Sequence, residues 1–246
     1  MTWHDVYDSP AQGLWGLIVV PAIFLLRILI APPTGAGTEP HAAAFVRRYA
    51  LLFAVETIAD PTATGPLLRW LGLTSGFLAD TAMLPFVLLG DFRVFLLLLV
   101  VAAPTAPLAT TLLAAAGWTA VVPAIAWPLT HVLHATRRNL PDTTLWLLYE
   151  SAFAALALGW RAWIVPLRVP DRPHVRAYLR LLCTYVATYY ALWATADLLV
   201  IAGVDLGWAL RIVPNQLYYS FWLPVAVGAF FAPRYAATST STQASR

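Results

Sequence analysis

Residues Phe77–Ala103 read FLADTAMLPFVLLGDFRVFLLLLVVAA. A single membrane-crossing helix needs about 20 mainly apolar residues, so this stretch can be one long, tilted span. It can also be two shorter spans broken at Gly90-Asp91. The following stretch, Ala106–Ala135, raises the same question near Gly117. Left whole, the two stretches give a bundle of seven spans; cut into three, they give eight.

The rest of the chain supports the membrane class. Of its 246 residues, 60% are hydrophobic and only 11% charged, and the mean hydropathy is +0.71. A soluble domain carries roughly 25% charged residues, too many for this chain to match. The period-2 alternation of a lipid-facing β-barrel is absent. The expected fold class is therefore an all-α integral membrane protein. Residues 1–235 form its one helical domain, and 236–246 form a disordered Ser/Thr-rich tail. The N-terminus, MTWHDVYDSPAQG, lacks the basic region of a secretory leader, so the first span is expected to stay in the mature chain.

The clear spans are about Leu14–Ile30, one ending near Asp60, Thr143–Pro166, Arg176–Ile201 and Trp208–Phe231. Arginine placement decides between the two totals. With the N-terminus outside and seven spans, Arg27, Arg47, Arg48, Arg168, Arg172, Arg176, Arg180 and Arg234 fall inside. Arg69, Arg137, Arg138 and Arg211 fall outside. Eight spans would move Arg168 to Arg180 outside. Seven spans with a cytoplasmic C-terminus is the better fit and implies an integral protein of a bacterial inner (cell) membrane. It also leaves Asp91 and Arg93 near mid-membrane, where a charge pair would lower the cost of burial.

The seven-span arrangement brings the polar positions into one half of the membrane. Glu56, Asp60 and Asp80 lie toward the outer ends of their spans. Glu150, Asp197, Asn215 and Gln216 lie within about two turns of the same side, so a polar cavity opening outward is expected. Intramembrane ionisable residues are costly and point to function. Glu56 and Asp60, four apart, share a helix face on which they could bind a cation or relay a proton. Pro61 offers two readings. A helix that continues frees the Thr57 carbonyl beside these carboxylates. A helix that stops leaves Asp60 in interfacial water. Asp197 seeks a donor among Asn215, Gln216, Tyr218 and Tyr219, and Glu150 seeks a cross-helix partner, with Arg211 as a candidate. His131 and His134, three apart on one face, could supply two metal ligands. A carboxylate would have to complete the set, and an interfacial role beside Arg137-Arg138 is the alternative.

No lysine is present, so retinal or pyridoxal cannot attach as a Schiff base, and the cofactor is otherwise unknown. Cys183 is the only cysteine, which excludes an intrachain disulfide. The net charge of +3 sits at span ends, which argues for topology and against nucleic-acid binding. The partner is the lipid bilayer; a homo-oligomer or a larger membrane complex stays open. Three functions fit. The first is a protein handling a small solute, ion or proton. The second is an intramembrane enzyme acting on a lipid-like substrate, with or without a metal. The third is a non-catalytic subunit of a membrane complex.

Overall fold

A computed structural model describes residues 1–34, 40–72, 77–137, 140–141 and 143–232; within these, the side chains of residues 65, 69, 77–84 and 134 are outside the description. The described residues contain helices and no strand. A short N-terminal helix α1 (Trp3–Tyr7) precedes α2 (Ala11–Ile30). Helix α3 runs Pro40–Thr62 and continues through a π-turn, Ala63–Leu67, into Leu68–Trp70. Helices α4 (Phe77–Ala102) and α5 (Leu108–Thr136) follow. Helix α6 begins as Thr143–Gly159, passes a π-turn at Trp160–Ile164 and ends at Val165–Arg168. Helix α7 is Pro173–Ile201. Helix α8 comprises Leu206–Asn215, a π-turn at Gln216–Phe221, and Trp222–Phe231.

Among the described residues, three helices are long and apolar enough to cross a membrane: Ala11–Ile30, Pro85–Ala102 and Leu108–Leu133. Their surroundings differ. In α4 every residue from Val94 to Ala102 is buried, as expected for a helix that is apolar all round and sits at the centre of a bundle. In α2 only 17% of the apolar window is buried, and Val19, Ile23, Leu26 and Leu29 are exposed. Helix α5 is similarly bare, at 22%. Water-soluble monomers do not present apolar faces this large, whereas lipid tails accept them.

Neither glycine proposed as a break interrupts a helix: Gly90 lies inside α4 and Gly117 inside α5. The division of 77–135 is therefore into two helices. Gly90 serves close packing instead, since a Cβ placed there would lie 1.5 Å from the Tyr218 hydroxyl on α8. Helix α3 likewise does not stop at Asp60. It passes through Pro61, so the reading of Asp60 as a wet helix end is corrected: Asp60 is 4% exposed. The local irregularity is a π-turn just after Pro61, and a second π-turn follows Pro214 in α8. A π-turn interrupts the regular ladder, and neighbouring side chains bond backbone groups within it. In α8 the Leu217 carbonyl accepts from the Tyr185 hydroxyl (2.8 Å), and the Tyr218 carbonyl accepts from Arg93 Nη2 (2.8 Å).

Tyrosines also join helices elsewhere. Tyr178 donates to the Ala226 carbonyl (3.0 Å) and Tyr49 to the Arg93 carbonyl (3.1 Å), while Trp222 Nε1 donates to the Tyr49 hydroxyl (2.9 Å). Helices α6 and α7 pack along much of their length, and the start of α8 crosses α7 at Gly207. A Cβ on Gly207 would lie 2.8 Å from both the Ala196 carbonyl oxygen and the Val200 nitrogen, so a small residue permits this backbone approach. The N-terminal helix is tied to the α8 start through Asp205, whose carboxylate accepts from the Trp3 and His4 backbone nitrogens (2.8 and 3.4 Å).

Candidate binding cavity

The centre of the bundle holds two separate charge clusters. The first is on α4. Arg93, 1% exposed, places Nη1 at 3.2 Å from Glu56 Oε2 and donates to Thr57 Oγ1 at 2.7 Å. Its guanidinium lies over the Tyr218 ring, 4.4 Å from the centroid. Asp91 does not pair with Arg93, which corrects the expected charge pair. Residues two apart are separated by about 200° around a helix and cannot face each other. Asp91 instead accepts from Tyr149 (2.5 Å) and from Tyr190, on α6 and α7.

The second cluster joins α6, α7 and α8. Arg211 Nη1 lies 3.0 Å from Asp197 Oδ1, and its Nη2 lies 3.9 Å from Glu150 Oε1. The Glu150 and Asp197 carboxyl groups also lie against each other. Both are buried, at 4% and 0% exposure, and Glu150 Oε2 has no hydrogen-bond donor. The Arg211 guanidinium sits 5.6 Å from the Tyr7 ring and 5.7 Å from the Trp208 ring. Glu150 thus pairs with Arg211, while Asp197 takes Arg211 in place of the amide and tyrosine donors expected for it.

This second cluster opens onto a cavity of about 440 Å³. Helix α6 contributes Trp146, Tyr149 and Glu150; α7 contributes Tyr190 and Trp193; α8 contributes Arg211, Asn215, Tyr218 and Tyr219. Tyr7, Asp8, Gly13 and Leu17 close it from the N-terminal segment. Spacings of three, four and seven residues put each set on one helix face. Trp193 Nε1 donates to Asn215 Oδ1 (2.8 Å), and Asn215 Nδ2 donates to the Tyr7 hydroxyl (3.4 Å). Below the cavity, Phe95, Leu98, Phe153 and Trp160 fill the bundle, leaving a void of only about 10 Å³ beside Asp91.

The positions singled out in the sequence therefore divide. Glu150, Asp197 and Asn215 converge. Glu56 is held in the Arg93 cluster and does not line the cavity. Asp60 lies beside Tyr219 of the wall and accepts from Thr64 (3.4 Å). Gln216 accepts from Ser220 (2.8 Å) and stands apart. The Asp80 and His134 side chains lie outside the described residues. His131 is exposed, its Nδ1 3.1 Å from the Trp127 carbonyl of its own helix. Among the described residues no three His, Cys, Asp or Glu side chains gather into a metal-binding group.

The sequence reading named Tyr218 and Tyr219, in a stretch that reads as a ligand groove or an interfacial belt, but passed over the cavity aromatics of α6 and α7. Their signal was present in the repeated three- and four-residue spacing of Trp146, Tyr149 and Glu150, and of Tyr190, Trp193 and Asp197. Compared with known proteins, the chain matches no family model, no curated protein and no solved structure.

Proposed function

We propose that the chain is a seven-span bundle of the cell membrane, N-terminus outside and C-terminus cytoplasmic, that takes a small solute or ion into this cavity and passes it across. The observation carrying the reading is the cavity itself: two buried carboxylates share one arginine at its wall. Buried charge of this kind is expensive in a bilayer and is characteristic of ion and substrate pathways. Its volume falls within the range of about 300–1,000 Å³ seen for small-molecule sites. The cavity lies toward one end of the bundle, and packed aromatic and leucine side chains close the other, as in a one-sided access state.

Proteoliposomes carrying the protein test this. Flux of protons, Na⁺ and radiolabelled tetraethylammonium is measured against protein-free vesicles. The wild type is expected to carry at least one of the three, and the Glu150→Gln/Asp197→Asn double variant to carry none while remaining folded. Unchanged flux in the folded double variant, or no flux of any of the three in the wild type, would refute the reading.

A further inference from the structure

We infer that the cavity ligand is a monovalent organic cation, an ammonium with apolar or aromatic substituents, held by Glu150 and the surrounding aromatic walls. The inference rests on the cavity being the working site, and concerns what it binds.

Charge comes first. Arg211 stands 3.0 Å from Asp197 and 3.9 Å from Glu150. One guanidinium facing two carboxylates is one positive charge short when both are ionised, and a proton held between the two or a bound cation makes up the difference. Glu150 Oε2, buried at the cavity wall, has no donor. Asp8, the other acid lining the cavity, has His4 Nε2 at 3.3 Å. An anionic ligand on Arg211 would meet the two carboxylates already there.

The walls point the same way. Tyr149 and Tyr190 donate to Asp91, and Trp193 donates to Asn215. With these polar ends engaged by protein groups, the side chains offer their rings to a ligand. Ring faces attract cations, most strongly where both partners are desolvated. Tyr190, Trp193 and Tyr218 form a continuous wall, with centroids 5.3–5.6 Å apart. A bare alkali cation would find too few oxygen donors here and would leave most of the 440 Å³ unused. An alkyl or aryl ammonium fills the space and places its charge at Glu150.

The test is equilibrium binding to the detergent-purified full chain, read by quenching of tryptophan fluorescence, with Trp146 and Trp193 as reporters in the wall. The probes are benzyltrimethylammonium, its uncharged carbon isostere neopentylbenzene, and benzenesulfonate. The ammonium is expected to bind saturably, and the other two at least about tenfold more weakly, because only the cation gains from both carboxylate and rings. Glu150→Gln is expected to lose about tenfold or more of the ammonium affinity with an unchanged melting profile. Trp193→Phe, which keeps a ring, should lose only a few-fold. Equal binding of the isostere, preferential binding of the sulfonate, Na⁺ quenching in place of the ammonium, or no saturable binding by the folded wild type would each overturn the proposal. Ammonium binding without flux in vesicles would leave it standing while removing transport; flux without ammonium binding would do the reverse.

Discussion

Replacing Arg93 by methionine tests whether the α4 cluster is an architectural ion pair. In the wild type the guanidinium meets Glu56 Oε2 at 3.2 Å, Thr57 Oγ1 at 2.7 Å and the Tyr218 carbonyl at 2.8 Å. Methionine keeps most of the apolar stem, so packing changes little. The loss is electrostatic. Glu56, 8% exposed, is left buried with no cation facing it, and the Tyr218 carbonyl loses its side-chain donor. Removing one member of a buried pair costs about 3–5 kcal/mol. Glu56→Leu alone should cost a similar amount, because it strands Arg93. The double variant removes both charges together and is expected within about 1–2 kcal/mol of the wild type, since apolar replacement of a whole buried pair is often neutral. The coupling energy should thus exceed about 2 kcal/mol. Reversible unfolding in mixed micelles, followed by circular dichroism, measures all four proteins. A coupling below about 0.5 kcal/mol would show that the two charges stabilise the fold independently and would refute the assignment.

Other perturbations probe different elements. Tyr149→Phe and Tyr190→Phe each remove a donor from buried Asp91 and should cost about 1–3 kcal/mol. The double variant should cost more than their sum in the same unfolding assay, because it strips Asp91 of both hydroxyls. Gly207→Ala should destabilise by about 1–3 kcal/mol, since the Cβ meets backbone atoms at 2.8 Å that cannot swing aside. Gly117→Ala, with nothing within 4 Å, should instead be neutral or stabilising by up to about 1 kcal/mol; equal effects at the two glycines would count against the packing of α8 on α7. Asp205→Ala removes the acceptor for the Trp3 and His4 nitrogens, so the first 15 residues should become protease-sensitive while the melting temperature of the bundle barely moves. Single cysteines at Arg137 and Asp171, in a Cys183→Ser background, should react with an impermeant maleimide from opposite sides of sealed vesicles. Labelling from the same side would sink the seven-span topology.

Helical class and approximate helix ends were legible in the sequence because they rest on long apolar runs and on proline and glycine punctuation. Gly90 shows where such local cues mislead. A glycine beside an aspartate reads as a break, yet the missing Cβ here admits the Tyr218 hydroxyl from a helix more than a hundred residues away. Pro61 misleads in the same way, since α3 absorbs it with a π-turn, a response that depends on what surrounds the helix. Partner choice was less legible still. Glu150 with Arg211 could be anticipated, but Asp91 with Arg93 failed on helix geometry alone, and Arg93 with Glu56 needs the docking of α3 on α4. The cavity aromatics were visible as residues but not as a wall, because an interfacial belt and a ligand cage have the same composition.

The two charge clusters share an arginine, a carboxylate and a tyrosine ring, yet they suit different roles. At Arg93 one cation faces one paired carboxylate, its terminal nitrogens contact α3 and α8, and the residue is 1% exposed. Charge there is balanced, with Arg93 Nε the one guanidinium nitrogen lacking a partner, and the arrangement fixes how three helices meet. At Arg211 one cation faces two carboxylates, one contact is a loose 3.9 Å, and the site borders open volume. Such a cluster is incomplete in charge and gains by taking up a proton or a cation, so its energy depends on what enters the cavity. Glu56 first stood out with Asp60 as a candidate cation or proton site, but its partner Arg93 makes it part of the frame. Neutralising it should cost stability and leave benzyltrimethylammonium affinity in the surviving folded protein unchanged. Neutralising Glu150 should cost affinity and leave the fold intact. Measuring both quantities on both variants separates frame from site, and a crossed result, with Glu56→Gln losing affinity and Glu150→Gln losing the fold, would exchange the roles assigned to the two clusters.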